Sequence, residues 1–432
     1  MSAPTHARRS PDPGRRVTAR HVDVLVVGGG PAGASAAYWL ASKGHAVTIL
    51  ERRTFPRDKT CGDALTPRAV KALGDMGIAD ELSAFHRTIG VRATNLRRDV
   101  QVAWPAHPIF PQHGYVVRRS ELDALVAANA QRAGATLLDG HEAVSPIVDR
   151  GFVRGAWVQA PGEGPLQEMR ARYVIVADGA NSRFGRVLGT FRTRAWPHGT
   201  AIRSYWESPR HAEPWIESVF DVKDRAGNAM PGFGWVFPVG DGTANIGVGV
   251  LSTFRDFKSV NTAQLLDTYS ESLRERWGID PAQPTELATS GRIPMGNSVG
   301  PKSGPTYLVV GDAAGSVNPF NGEGIGYAYE TGRLAAGVLH EALTVGDGVA
   351  LQRYPALLDE EYGQYFKVGR LFARAIGQPR VMSELTNAAM HHRTLMEWML
   401  RIMANLLRPD ELGPAEAAYR AAAAIARFAP DA

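Results

Sequence analysis

HVDVLVVGGGPAGASAAYWLASKGHAVTILERR, residues 21–53, leaves this chain little choice of fold. Val22 to Val27 is a short β-branched run, suited to a strand buried on both faces of a parallel sheet. Gly28-x-Gly30-x-x-Gly33 follows at once. A helix is predicted from Ala34 to Lys43, ended by Gly44, and AVTILE makes a second strand closing on Glu51. The first glycine permits a tight turn, the second lets backbone approach a pyrophosphate, and the third lets helix and strand pack closely. The helix N-terminus presents N–H groups and a favourable dipole to the anion. Glu51 ends the second strand, where a carboxylate accepts from ribose hydroxyls. Pro31 and Ala32 lie inside the pattern and Arg52 follows the acid, so all three belong to the predicted dinucleotide site.

Two later turns extend that site. YVIVADGANSRFGRVLG ends a strand in Asp178-Gly179, and TYLVVGDAAGSVNPFNGEG ends another in Gly311-Asp312 before a loop and a new helix. An NAD-only half has no use for a second acidic turn so far along the chain. FAD has one, because its ribityl chain and ring extend well beyond the adenosine. Asp312 is placed to hold the ribityl or pyrophosphate side. The helix beginning near Gly322–Gly324, with Pro319 before it and Ile325 after, is placed to aim N–H groups at the flavin N1/O2 edge.

The composition excludes several classes. The apolar fraction of 44% supports a large packed core, and a single cysteine excludes an intramolecular disulfide. The pair His391–His392 has no nearby partner set, so no metal is expected; nor is a nucleic-acid partner. The net charge of +5 owes much to residues 1–20, an arginine- and proline-rich stretch that reads as a disordered tail and not a secretory signal. No window is long and apolar enough to span a bilayer. The expected location is cytoplasmic, peripheral to the cytoplasmic membrane.

Between the nucleotide segments run stretches that alternate like antiparallel strands. VRATNLRRDVQVAWP and HGYVVRR form one pair of runs, and HGTAIRSYWES, WIESVFDV, FGWVFPV and TANIGVGV form four more. Their aromatics include Trp206 and Phe220, and alternation puts Phe233, Trp235 and Phe237 on one face. From Leu351 onward the chain reads as helical, and residues 382–403 hold five of the ten methionines. Leu395, Trp398, Met399, Ile402, Met403 and Leu406 form one apolar face, which suits either packing on the sheet or contact with a membrane interface.

RDKTCGDALTPRAV, ADGANS and GDAAGSVNPFNGEGIGYAYETG occur in order, followed by the looser match PGFGWVFPVGDGTANIGVGVLST. With these the chain resembles the geranylgeranyl reductase family of FAD-dependent oxidoreductases, most nearly the actinobacterial menaquinone reductases, over roughly residues 22 to 345. The resemblance implies an α/β FAD-binding domain of the p-hydroxybenzoate hydroxylase type, an antiparallel substrate sheet and a C-terminal helical segment. The implied domains are 21–98, 119–192 and 301–345 for FAD, 99–118 and 193–300 for substrate, and 346–432 for the helices. Arg119 matches an arginine near FAD, and Cys61-Gly62 falls where the family keeps a cysteine beside the isoalloxazine ring. Trp235, Phe237 and Pro238 match the end of a lipid-pocket signature in which Phe233 here replaces a tyrosine.

The implied reaction saturates an isoprenoid double bond, in the tail of menaquinone or a similar lipid, by hydride from reduced flavin plus a proton. The reductant is NAD(P)H or another donor, and the oligomeric state is left open. For the proton donor, Cys61, Tyr115 and a water chain are candidates; a small apolar residue in a turn is the plain alternative for Cys61. Asp63 is expected only to cap the helix near Thr66-Pro67, and Arg57 and Lys59 to be solvated charges. The same fold would serve a flavin monooxygenase, or a non-redox prenyl-lipid isomerase or cyclase. A halogenase is disfavoured because only GWVFP stands where a doubled-tryptophan signature is needed.

Overall fold

The computed structural model describes residues 20–95, 98–162, 164–408, 410–411 and 413–430. The tail reading for residues 1–20 falls outside them except at Arg20, which already starts the first strand.

The dinucleotide pattern folds as its physics requires. Arg20–Val27 lies between Val47–Glu51 and Gln167–Val176, all parallel, and Tyr307–Val309 and Thr136–Asp139 extend the sheet on either side. The first helix is Pro31–Ala41, earlier at both ends than expected. Proline at the first helical position starts it, so Gly33 lies inside the first turn instead of before it. Ala36, Ala37 and Leu40 of this helix are fully buried in the core that it shares with the long helix Ile325–Val345, and Ala34 is buried in a neighbouring cluster with Ile325 and Tyr329 of the same helix.

A second sheet of seven strands runs in the order Thr289–Pro294, His198–Glu207, Thr243–Leu251, Gly232–Pro238, Trp215–Val219, Gly90–Thr94, Asp99–Ala103. All four strands expected from 193 to 251 belong to it. One face packs on the helix Thr262–Trp277 through Trp206, Val236, Ile246, Leu266 and Trp277. Trp206 therefore faces away from the aromatics at 233, 235 and 237.

Three expectations change. Gly114–Val116, in HGYVVRR, does not join the strands at 90–103; it pairs with Ala64–Leu65 and His86–Thr88 in a separate three-stranded sheet. Glycine is needed there, since a Cβ on Gly114 would stand 2.3 Å from the Leu65 carbonyl oxygen. Gly90–Thr94, assigned by its position before residue 98 to the FAD half, pairs in parallel with Trp215–Val219 and belongs to the second sheet. Thr289–Pro294 went unrecognised because TSGRIP combines glycine, proline and polar residues, a composition that only an edge strand tolerates.

The C-terminal helices include Gln364–Ile376, Pro379–His391, Arg393–Met403 and Pro414–Arg427. Met396, Met399 and Leu400 pack against Ala93 and Val102 of the second sheet. Among the described residues no helix is long and apolar enough to cross a membrane.

Candidate active site

One cavity of about 820 Å³ runs from the glycine loop to the aromatic face of the second sheet. Gly28, Gly30, Pro31, Ala32, Glu51, Arg52, Asp178, Gly179, Asp312, Gly322, Gly324 and Ile325 line it, together with Cys61, Gly62, Arg119, Phe233, Trp235 and Phe237. Phe220, Met396, Met399, Leu400 and Met403 close its apolar end.

Gly33 and Gly311 stand behind this wall. A Cβ on Gly33 would lie 1.9 Å from the Gly28 carbonyl oxygen, and one on Gly311 would lie 2.7 Å from the Ala32 Cβ. Both serve the close packing of strand, turn and helix. Pro319 lines a small annex among Phe320, Phe372 and Met382 instead of the main cavity. Pro238 is also absent from the wall, because it is one residue out of phase with Phe233, Trp235 and Phe237 along the strand. Tyr115 is buried with Leu65 and Val70, away from the cavity lining.

Two helix N-termini open on this space, those of Pro31–Ala41 and Ile325–Val345. Both have glycine N-caps, neither has a side-chain cap, and neither carries an acid in its first turn. Free N–H groups and positive dipole ends favour an anionic ligand at both places. Glu51 is held beside the first of them: its Oε2 accepts from the Gly29 N–H at 3.1 Å and from Arg57 at 3.1 Å. A Cβ on Gly179 would meet nothing within 4 Å, and Asp178 Oδ1 is buried without a hydrogen-bond partner. The donor set and the open glycines fit a dinucleotide that presents negative charge at two places, as FAD does at its pyrophosphate and its flavin N1/O2 edge.

Arg57 is not a solvated charge. Its side chain is 10% exposed and bridges Glu51 to Asp123, 3.0 Å away. Asp123 also takes Arg119 through two bonds of 2.8 Å, and the positive charge of Arg119 acts on the Cys61 thiol. An alternating run of charges thus links the acid of the glycine loop to the cysteine. Burial pushes the Cys61 thiol up, against the pull of Arg119, so it stays protonated near neutrality.

Asp63 is not the helix cap; the Thr66 hydroxyl fills that role, accepting from the Ala69 N–H. Asp63 is fully buried, with φ of 68°. Its Oδ2 accepts from the Tyr205 hydroxyl at 2.5 Å and from Asn245 Nδ2 at 2.8 Å, and its Oδ1 from the Arg119 N–H at 3.3 Å. Asn245 also donates to the Cys61 carbonyl and accepts from Trp235 Nε1, each at 2.9 Å. Burial outweighs these bonds and lifts the Asp63 carboxyl from 3.8 to about 6. Sequence reasoning missed Asp63, Asn245, Tyr205 and Arg57 as site residues. The one local signal was Asp63 directly after a glycine in a turn, a position that tolerates left-handed backbone.

Among the described residues no cluster of His, Cys, Asp and Glu is arranged to hold a metal ion.

Comparison with known proteins agrees with this geometry. Residues 21–356 match the family described as FAD binding domain. A menaquinone reductase of Mycolicibacterium smegmatis is 40% identical, over 90% of this chain and 93% of its own. Digeranylgeranylglycerophospholipid reductase 1 of Methanopyrus kandleri is 32% identical, over 82% of this chain and 90% of its own. Among solved structures, a geranylgeranyl bacteriochlorophyll reductase-like protein from Thermoplasma acidophilum superposes with a TM-score of 0.75 at 23% identity, covering 93% of this chain and 99% of that one. A flavin-dependent brominase superposes at 0.74 with 19% identity, covering 94% and 99%. At such identities both structures show the fold alone.

Proposed function

The chain belongs to the FAD-binding-domain family, in its branch of menaquinone and geranylgeranyl-type reductases, and on that premise we propose that it saturates a double bond in the prenyl tail of menaquinone. The carrying observation is the single cavity that joins an anion-accepting dinucleotide cradle to an apolar wall of Phe233, Trp235 and Phe237. Bound FAD, once reduced, supplies hydride.

In this reading Glu51 and the Pro31–Ala41 N-terminus hold the adenosine ribose and pyrophosphate. Asp312 and the N-terminus at Gly324 hold the ribityl and ring end. The three aromatic rings, with centroids 6.0 and 6.2 Å apart, give a flexible chain a continuous surface on which to lie. Gly62 lets that surface come close to the cysteine loop, since a Cβ there would lie 2.7 Å from Phe237. The methionines exclude water while adapting to a flexible tail. The Arg393–Met403 helix is where we propose that the lipid enters from a membrane surface, and NAD(P)H or another two-electron donor reduces the flavin.

Anaerobic reduction followed by addition of menaquinone tests the reading. Lipid-dependent reoxidation with a product two hydrogens heavier is expected. Rapid oxygen consumption with an oxygenated product would instead make the protein a monooxygenase, and rearranged double bonds without mass change an isomerase.

A further inference from the structure

Two titratable groups bracket the aromatic wall. Cys61 stands at one end, where Gly62 lies against Trp235 and Phe237. At the other end Gly322 lies against Phe233, and a Cβ there would be 3.6 Å from the ring. The residue after Gly322 is Glu323, which also lines the cavity.

Glu323 is fixed on every side but one. Its N–H donates to Asn321 Oδ1 at 2.9 Å, and its carbonyl accepts from the Asn318 N–H at 2.9 Å. Its Oε1 accepts from the Thr66 hydroxyl. Oε2 is buried and has no hydrogen-bond partner. Leaving an ionised carboxylate oxygen in that state is costly, whereas the protonated carboxyl is a donor on a residue that lines the cavity. The charged and titratable neighbours are Arg68 on the Pro67–Asp75 helix, Tyr327 and Glu330 on the Ile325–Val345 helix, and Tyr365 on the Gln364–Ile376 helix. Arg68 favours ionisation, but its guanidinium is engaged by Glu330 at 2.6 Å and by the Asn405 carbonyl at 3.0 Å. Burial prevails and lifts Glu323 from 4.5 to about 7. Burial raises the Cys61 thiol as well, from an ordinary value already above neutrality, and so leaves it the weaker acid of the two.

We propose that Glu323 is the acid of the reaction, giving its Oε2 proton to one carbon of a prenyl double bond held along Phe233 and Trp235. This rests on the prenyl-reductase reading above. The two π electrons form the C–H bond to that proton. The other carbon accepts the hydride and its electron pair, leaving oxidised flavin and a Glu323 carboxylate that solvent reprotonates.

Glu323→Gln keeps the volume and the acceptor for Thr66 and removes the proton. The variant should bind FAD with a normal flavin spectrum and be reduced by dithionite as fast as wild type. Its menaquinone-dependent reoxidation should fall on the order of 100-fold, and the loss of rate above about pH 7 expected of the wild type should vanish. Infrared difference spectra of the FAD-free wild type should show a protonated carboxylic acid that titrates near pH 7 and is missing in Glu323→Gln. Glu323→Asp, which retains an acid, should recover part of the rate. Reoxidation of Glu323→Gln within threefold of wild type, or no such infrared band in the wild type, overturns the proposal. A wild type that leaves menaquinone unchanged while still showing the band sinks the prenyl-reductase reading itself, a distinguishable result.

Discussion

Asp63 ties three parts of the molecule to one carboxylate: the Cys61 turn, the start of the Arg119–Arg132 helix, and the second sheet through Tyr205 and Asn245. Because Asn245 also holds Trp235, loss of the Asp63 acceptor should shift the aromatic wall relative to the cysteine. Asp63→Asn should therefore raise KM for the lipid more than it lowers FAD affinity. An unchanged KM would make the network structural only. Its ionisation adds a second signature. The carboxyl titrates at about 6 when folded against 3.8 ordinarily, so between those values the folded chain keeps a proton that the unfolded chain has released. The stabilisation is complete below about pH 4 and is lost as pH rises through 6, on the order of 3 kcal/mol. Glu323 acts in the same direction up to about 7, so the difference between wild type and Asp63→Asn isolates Asp63. Urea titrations from pH 4 to 7 should show a shallower decline in the variant. Neither carboxyl was legible as functional from sequence, for a physical reason: the groups that define them are 142, 182 and 257 residues away. Local pattern reports turn and cap chemistry, and it suggested only a cap for Asp63.

At the scale of elements, the glycine loop was legible almost completely, because each glycine answers a short-range steric demand. Gly33→Ala tests it. The new Cβ has only 1.9 Å to the Gly28 carbonyl oxygen and 3.0 Å to Val26 Cγ1, so helix and strand must separate. Loss of FAD binding and a lower melting temperature are expected, whereas Gly44→Ala, beyond the helix with open space around it, should retain FAD despite some backbone strain from its φ of 84°. A Gly33→Ala protein that binds FAD normally would contradict this account of the turn. The strand Gly232–Pro238 was equally readable by period two, which placed Phe233, Trp235 and Phe237 together; the same rule should have excluded Pro238. The helix Arg393–Met403 was only half legible. Its periodicity marked an apolar face without saying what covers it. The structure supplies Ala93, Val102 and the cavity as its partners.

At the scale of the molecule, the cavity is bounded by both large sheets and by the C-terminal helices, so a ligand in it touches every layer. The direct ties between the layers include Asp63 to Tyr205 and Asn245, and Arg203 to Asp58 at 2.5 Å. Binding of FAD to the folded state alone stabilises that state by RT ln(1 + [L]/Kd), about 4 kcal/mol at a thousandfold excess over Kd. If the cavity couples the layers, that stabilisation must be shared. Removing FAD should then lower the melting temperature by several degrees and increase hydrogen exchange both in the glycine-loop helix Pro31–Ala41 and in Gly232–Pro238, although only the former belongs to the nucleotide pattern. Faster exchange confined to the glycine-loop side would mean that the second sheet keeps its own stability, and that the apolar wall is preformed before the cofactor arrives.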